Sequence, residues 1–347
     1  MLRYLFFFFA IACLFSHAAQ AADSVGFRTI KTPTGGDGRS LDMGIWYPAK
    51  SDQALTLVGD NPAFVGVPVL KDAQPLPGRY SLVVMSHGYG GNWTNQAWLA
   101  EELARQGYVV AATNHPGTTS RDMNTPLSGR LWERPRDISH VIDALLTDTT
   151  LAGIIAPDRI AVIGHSLGGW TAIEIAGGRF DPDRLTADCK ANAVLAACAV
   201  YQEINAGQDA ESRTLLGDNL RDGRVKAAVS LDLGLARGFD PTSLAAIDIP
   251  VLVIAAGAPN PKIPADLESG YLASNLPTTT THYAEIPDAT HFSFLPICKP
   301  GAAAMIEEET PGDGIVCQDG GGRDRKTIHQ QMASLIIAFL TKALPRT

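Results

Sequence analysis

The sequence has few charged residues, no metal or cofactor motif, and no apolar run long enough for a membrane-spanning helix. Charged side chains make up 18% of the 347 residues, and 28 basic against 36 acidic residues give a net charge of −8. An acidic chain repels nucleic acid and anionic lipid surfaces, so neither is an expected partner. Because H-E-x-x-H, phosphate-loop and dinucleotide-binding patterns are missing, we expect no metal and no cofactor.

The first residues have the pattern of a secretory signal peptide. Arg3 precedes an apolar run at 5–15, and an Ala-Gln-Ala ending places the predicted cleavage after Ala21. A membrane anchor is the alternative, but the run is shorter than the ~20 residues that a spanning helix needs. We therefore expect a signal peptide at 1–21, a single domain at 22–347, no stable membrane insertion, and a secreted or periplasmic location.

Only four cysteines follow this segment, at positions 189, 198, 298 and 317. An even number in an exported chain favours disulfides, and four cysteines allow three pairings. We favour Cys189 with Cys198 and Cys298 with Cys317, because each pair lies within one irregular segment. A zinc site is the alternative, although no Cys-x-x-Cys or close Cys/His spacing supports it.

What the sequence does contain is an alternation of strand-like and helix-like patterns. Runs such as LVVM, IAVI and VLVI are apolar at every position, which is typical of strands buried on both faces of a parallel sheet. The strand-like runs lie at 41–48, 80–88, 108–117, 159–166, 225–234, 250–259 and 281–289. Helical patterns lie at 92–107, 136–148, 166–178 and 328–344. This order predicts an α/β fold with a mostly parallel open sheet flanked by helices.

Two segments interrupt the alternation. Residues 179–224 are polar, contain the first cysteine pair and include a helix-like stretch, NAVLAACAVYQEI. We interpret them as an insertion that forms a cap over the site. A second irregular segment, 296–325, contains the other cysteine pair.

The stretch RIAVIGHSLGGW, at 159–170, places Ser166 where a buried strand passes into a helix. Its Gly164-His165-Ser166-Leu167-Gly168 core has the G-x-S-x-G spacing of a nucleophile elbow. Glycine is needed on both sides because a Cβ there would collide with the neighbouring chain. Ser166 is therefore the predicted nucleophile, and an ordinary glycine-rich turn is the alternative.

A serine hydroxyl needs a base, and the base needs an acid. His291 follows the last predicted strand and lies at the same sheet edge as Ser166, so it is the predicted base. Asp232, at the end of a strand, is the predicted acid because a strand end holds it rigidly. Other candidates for the acid, further along the chain, are Asp266, Glu268 and Asp288.

Attack on a carbonyl also requires hydrogen-bond donors for the developing oxyanion. The glycine-rich turn SHGYGG ends an apolar strand, and we predict the N–H groups of Tyr89 and Leu167 as the two donors. Trp93 and Trp170 flank these turns and are predicted as apolar substrate-binding residues. Core packing is the alternative for both tryptophans.

The order of these motifs resembles the α/β-hydrolase superfamily, and within it a bacterial dienelactone-hydrolase-like branch related to platelet-activating-factor acetylhydrolases. The stretches that carry the resemblance are MSHGYGGNW, NHPGTTSRD, IGHSLGGWTA, AAVSLDLG and THFSFLPIC with CQDGGGRDR, and they span most of residues 40–340. The resemblance implies the acid at Asp232, after the strand that follows the elbow helix. Dienelactone hydrolases proper use a cysteine where this chain has Ser166, so their activity is not implied.

These features together predict a serine carboxylic-ester hydrolase that acts through an acyl-enzyme on a small or lipid-like ester. The alternatives are an amidase or peptidase with the same three residues, and a non-catalytic binding protein built on a hydrolase scaffold. The sequence does not indicate acyl length or oligomeric state.

Overall fold

The computed structural model describes residues 24–34, 38–123 and 125–345. The predicted signal peptide, 1–21, lies outside the described residues. No helix within the described ranges is long and apolar enough to cross a membrane.

One ten-stranded sheet organises the described part of the chain. Its strands are β1 (Ser24–Lys31), β2 (Asp42–Ala49), β3 (Thr56–Val58), β4 (Val67–Lys71), β5 (Arg79–Ser86), β6 (Tyr108–Thr113), β7 (Ile154–His165), β8 (Val225–Leu231), β9 (Val251–Ala256) and β10 (Thr281–Ile286). The spatial order is β10-β9-β8-β7-β5-β6-β2-β1-β4-β3. The strands from β10 to β6 run parallel, and β2 is antiparallel to both β6 and β1. The predicted α/β class with a mostly parallel sheet is confirmed.

Helices cover both faces of the sheet. They are α1 (Ala97–Arg105), α2 (Thr125–Ser128), α3 (Glu133–Thr147), α4 (Leu167–Ala176), α5 (Pro182–Ala191), α6 (Ala196–Glu203), α7 (Ala210–Leu216), α8 (Pro241–Ala245), α9 (Ser269–Asn275), α10 (Ala302–Glu309) and α11 (Arg325–Ala343).

Two apolar cores result, because successive side chains of a strand point to opposite faces of the sheet. Leu82 and Val84 of β5 pack in the core with α3 and α4, whereas Val83 and Met85 pack in the core with α1 and α11. All four side chains are fully buried, which explains why β5 is apolar at consecutive positions.

Three strands have no counterpart in the sequence patterns: β1, β3 and β4. They form one side of the sheet and are exposed at several positions, so they lack a continuous apolar run. β3 also has only three residues. Their pairing depends on β2, with which β1 is in antiparallel register over its full length.

Both predicted disulfides are present, Cys189–Cys198 and Cys298–Cys317. The first joins α5 to α6 within the segment predicted as a cap. All four of these cysteines are therefore used in disulfides rather than in a zinc site.

Candidate active site

Ser166 lies in a strained turn between β7 and α4. Its φ of 56° and ψ of −121° belong to a region that residues with a Cβ rarely adopt. A Cβ on Gly164 would collide with the carbonyl oxygen of Gly168, and a Cβ on Gly168 with that of Ser86. The two glycines therefore let strand and helix approach closely enough to hold the hydroxyl at the carboxyl edge of the sheet.

The structure brings Ser166, His291 and Asp232 into one hydrogen-bonded line. Nε2 of His291 is 3.0 Å from Oγ of Ser166, and its Nδ1 is 2.6 Å from Oδ2 of Asp232. Oδ1 of Asp232 accepts a hydrogen bond of 2.8 Å from the N–H of Ala256, which fixes the carboxylate. The histidine and the aspartate are 9% and 2% exposed. This is the geometry in which an imidazole accepts a proton from a serine.

The other carboxylates considered for the acid lie elsewhere. Asp266 is exposed, and Asp288 forms an ion pair with Arg323. Glu268 is buried and accepts a 2.8 Å hydrogen bond from the N–H of Ala236. Asp232 is therefore the carboxylate at the histidine.

His165, which precedes the serine, contacts both the backbone and the ring of His291. Its Nε2 donates to the carbonyl oxygen of His291 at 2.9 Å, and the two rings are 4.7 Å apart. Burial, and then the nearby His291, hold the pKa of His165 well below its usual range. A neutral His165 in one tautomer fixes the backbone that carries the base.

The turn after β5 is held by a second histidine. Nδ1 of His87 donates to the carbonyl oxygen of Gly88 at 2.7 Å, while its Nε2 accepts from the N–H of His115 at 3.1 Å. Burial and the charge of Arg134 keep the pKa of His87 well below its usual range. Because a trans peptide is planar, fixing the Gly88 carbonyl also fixes the opposite direction of the Tyr89 N–H.

Behind this turn lies a buried Ser-His-Asp array that is separate from the first. Oγ of Ser86 is 2.9 Å from Nε2 of His115, whose Nδ1 is 2.9 Å from Oδ2 of Asp137. Arg39 binds both carboxylate oxygens of Asp137. Ser86 is 0% exposed, so no substrate reaches its hydroxyl. The array joins the end of β5 and the loop after β6 to α3 by hydrogen bonds.

Arg134 of α3 connects the two segments that carry the predicted oxyanion donors. Its Nη2 donates to the carbonyl oxygen of His87, just before Gly88 and Tyr89. Its Nε donates to Oγ1 of Thr171 at 3.1 Å, and that hydroxyl donates to the carbonyl oxygen of Leu167 at 3.0 Å. One guanidinium, 2% exposed, thus bonds toward both sides of the predicted oxyanion hole.

The sequence motifs do not include Arg134, although the sequence contains a signal for it. Arg134 is separated from Ile138, Val141 and Leu145 by spacings that put all four on one face of a helix. A cation on the apolar face of a helix is rarely buried without a polar partner. The position of Arg134 on the apolar face of α3 therefore indicates that buried polar groups bind it.

Replacing Arg134 by methionine is expected to lower kcat about 100-fold with a small change in KM, which is the effect of losing one oxyanion donor. Stability should also fall by about 3–5 kcal/mol, because buried partners lose their cation. Steady-state kinetics normalised to folded protein would measure the first effect, and urea denaturation the second.

Arg136→Met is the matched control, two residues along α3, because the Arg136 side chain is 44% exposed and forms a surface ion pair with Glu133. Equal kcat values for the two variants would contradict the role assigned to Arg134.

Ser166 lines a cleft of about 210 Å³. Tyr89, Leu167 and His291 line it together with Ser166. The rest of its wall is formed by Ala196, Ala197, Val200, Gly234, Leu235, Ile263, Glu268 and Phe292. Three of these residues belong to α6, so the segment predicted as an insertion, 179–224, contributes to the cleft wall. A larger groove of about 920 Å³ lies against α3 and contains none of the three aligned residues.

The cleft is closed on one side by a contact between Tyr89 and α6. The Tyr89 hydroxyl donates to Oε1 of Glu203 at 3.0 Å. Burial, and then this carboxylate, raise the pKa of Tyr89 to about 12. The turn predicted to supply one oxyanion donor is thereby bonded to the inserted segment.

The structure corrects the prediction for the two tryptophans, because neither lines the cleft. Trp170 is 0% exposed and packs against Phe180, with ring centroids 5.5 Å apart. Trp93 packs against Phe27 and Trp46 at 5.6 and 5.7 Å. Both rings pack against other aromatic side chains, so the alternative of core packing applies.

Fold and site together define a class: an open parallel α/β sheet with a serine, a histidine and an aspartate aligned at its carboxyl edge. A model of the alpha/beta hydrolase family matches residues 83–304, a range that contains all three residues. The chain belongs to this family, as the resemblance of its motifs implied.

Curated relatives match a shorter part of the chain. Cutinase est2 of Thermobifida alba is 35% identical over 104 residues, which cover 29% of this chain and 32% of that protein. Cutinase cut1 of Thermobifida fusca is 33% identical over 104 residues, covering 29% and 30%. The chain therefore spans about a third of the length of these relatives.

A solved structure matches nearly the whole chain. The ferulic acid esterase from Streptomyces cinnamoneus superposes with a TM-score of 0.63 at 20% identity, covering 94% of both chains. At this identity the likeness supports the fold alone.

Proposed function

We propose that the protein is a serine carboxylic-ester hydrolase that acts through an acyl-enzyme on a small or lipid-like ester. The observation that carries the proposal is the hydrogen-bonded line from Ser166 through His291 to Asp232, which opens into a mainly apolar cleft. The serine lies on a strained turn at a helix start, where backbone N–H groups favour negative charge.

In the first half of the reaction, Oγ of Ser166 attacks the ester carbonyl while its proton passes to Nε2 of His291. The N–H groups of Tyr89 and Leu167 stabilise the oxyanion of the tetrahedral intermediate. Collapse breaks the bond to the alcohol oxygen, which leaves with the proton from His291. Asp232 holds the imidazole in the required tautomer and stabilises its positive charge.

In the second half, water replaces the alcohol. His291 removes a proton from the water, whose oxygen attacks the acyl carbon. The second tetrahedral intermediate collapses, Ser166 regains its proton, and the carboxylic acid leaves. The chemistry uses protons and hydrogen bonds throughout, so the proposal includes no cofactor.

The ester substrate is supported by the apolar cleft and by the cutinase relatives, which are named for an esterase activity. A secreted or periplasmic location is supported by two disulfides and by the predicted signal peptide. The expected partner is a small-molecule ester.

Mass spectrometry after acid quenching tests the proposal. Incubation with p-nitrophenyl butyrate should release p-nitrophenol and add one butyryl group to the peptide that contains Ser166, because the acyl-enzyme survives at low pH. A fluorophosphonate should label the same serine and stop turnover. Turnover without acylation of Ser166 would refute the proposed mechanism.

The two alternatives give different results. A peptidase or amidase would turn over a matched p-nitroanilide at least as fast as the ester. A non-catalytic binding protein would release neither product and would not react with the fluorophosphonate.

A further inference from the structure

The wall of the cleft contains a carboxyl group but, among the described residues, no lysine or arginine beside the histidine of the site. Among the described residues that line it, no lysine or arginine is present, and Glu268 is the one aspartate or glutamate. Most of the remaining lining is apolar and includes Leu167, Val200, Leu235 and Phe292.

Glu268 lies at the start of α9 and is 2% exposed. Its Oε2 accepts from the N–H of Ala236 at 2.8 Å, and Glu268 forms no ion pair with another described residue. Burial raises its pKa to about 8, and the charges of Asp232 and Asp188 add to this effect. The carboxyl is therefore mostly protonated at neutral pH and carries its negative charge in alkaline solution.

An anionic group that entered this cleft would lose its hydration without gaining a cation. Burying an unpaired carboxylate is strongly unfavourable. In alkaline solution it would also lie beside the ionised Glu268, with the charge of Asp232 behind His291. Like charges at such short range repel strongly in a site that excludes water. An uncharged group meets neither penalty.

We propose that the cleft takes an uncharged part of the ester and that Glu268 selects against substrates that carry a carboxylate there. This inference rests on the proposed ester hydrolysis and narrows its substrate class: neutral acyl or alcohol groups are accepted, and half-esters of diacids are disfavoured. Glu268 acts as a specificity-determining residue and takes no part in proton transfer.

Two pairs of esters, each matched in shape and differing in charge, test the proposal. The first pair, p-nitrophenyl 6-methylheptanoate and p-nitrophenyl hydrogen adipate, differs in the acyl part. The second pair, p-nitrophenyl butyrate and p-carboxyphenyl butyrate, differs in the alcohol part. The measured quantity is the ratio of kcat/KM for the neutral ester to that for the anionic ester.

The variant is Glu268→Gln, which keeps an oxygen that accepts from Ala236. Asp266→Asn is the matched control. Asp266 lies two residues before Glu268 and is exposed, so this variant also removes one negative charge but does so at the surface. A ratio of two rates measured on one sample does not depend on the folded fraction, so partial misfolding of a variant does not affect the test.

For the wild-type protein, the ratio in at least one pair should rise about tenfold between about pH 6.5 and about pH 9, as Glu268 ionises. Groups that act equally on both esters cancel in the ratio. Glu268→Gln should lower the ratio at the higher pH by about the same factor and remove its pH dependence. Asp266→Asn should leave it unchanged. The pair that responds identifies which part of the ester occupies the cleft.

Three results would overturn the inference. They are an unchanged ratio in Glu268→Gln, an equal change in Asp266→Asn, and a wild-type preference for the anionic esters. A wild-type protein that hydrolyses none of the four esters would refute the proposed function itself, which separates that failure from a failure of the role of Glu268.

Discussion

Replacing Ser166 by alanine is expected to lower kcat for p-nitrophenyl butyrate about a million-fold, the loss seen when the nucleophile of a serine hydrolase is removed. Without Oγ no acyl-enzyme forms, and His291 has no hydroxyl to deprotonate. KM should change little, because the walls of the cleft remain. Single-turnover kinetics with a wild-type and a variant protein prepared in parallel would measure the effect.

Ser86→Ala is a matched control for this experiment. Ser86 also lies at a strand end and hydrogen-bonds to a histidine that binds an aspartate, but its hydroxyl is fully buried. It should lose far less activity than Ser166→Ala. If the Ser86 variant were the inactive one, or if Ser166→Ala kept its kcat, the proposed mechanism would be wrong.

Replacing Asp232 by asparagine is expected to lower kcat about ten-thousand-fold while leaving the fold intact. The asparagine amide keeps the size of the carboxylate, but it offers an N–H donor where Nδ1 of His291 now meets an acceptor at 2.6 Å. The imidazole then turns to the wrong tautomer, and the positive charge that forms on it loses its counter-ion. The kcat of purified variants and their urea denaturation curves would separate this effect from unfolding.

Asp266→Asn is the comparison variant for the acid, because Asp266 is one of the other carboxylates that the sequence offers for this role. The structure places it on an exposed stretch of the loop after β9. It should keep kcat within about twofold, as expected for a surface substitution away from the chemistry. A large loss in Asp266→Asn together with a small one in Asp232→Asn would reverse the assignment.

The sequence predicts some residues of the site more directly than others. Ser166 stands out because its sequence signal is local: Gly164 and Gly168, two residues to either side, remove collisions with the turn itself and with Ser86 of the neighbouring strand. His291 and Asp232 were predicted from their positions after strands, since parallel strands bring their carboxyl ends to one edge. The structure then places their atoms within hydrogen-bond distance, while their catalytic roles stay predictions.

Other features depend on contacts between segments far apart in the chain. Trp93 and Trp170 lie next to the glycine-rich turns in sequence, yet their rings pack into the core rather than into the cleft. Arg134 acts through partners 16 to 48 residues away. Glu268 was considered as the acid, but the path of its loop brings it to the cleft wall instead.

The sequence by itself determined the parallel α/β class and the serine turn and favoured the two disulfides, because each depends on residues close together in the chain or on a repeating apolar pattern. Only the tertiary structure decided which carboxylate meets His291, which side chains line the cleft, and where β1, β3 and β4 pair. Those outcomes depend on packing between distant segments, and side-chain direction and loop path are fixed only when these segments come together.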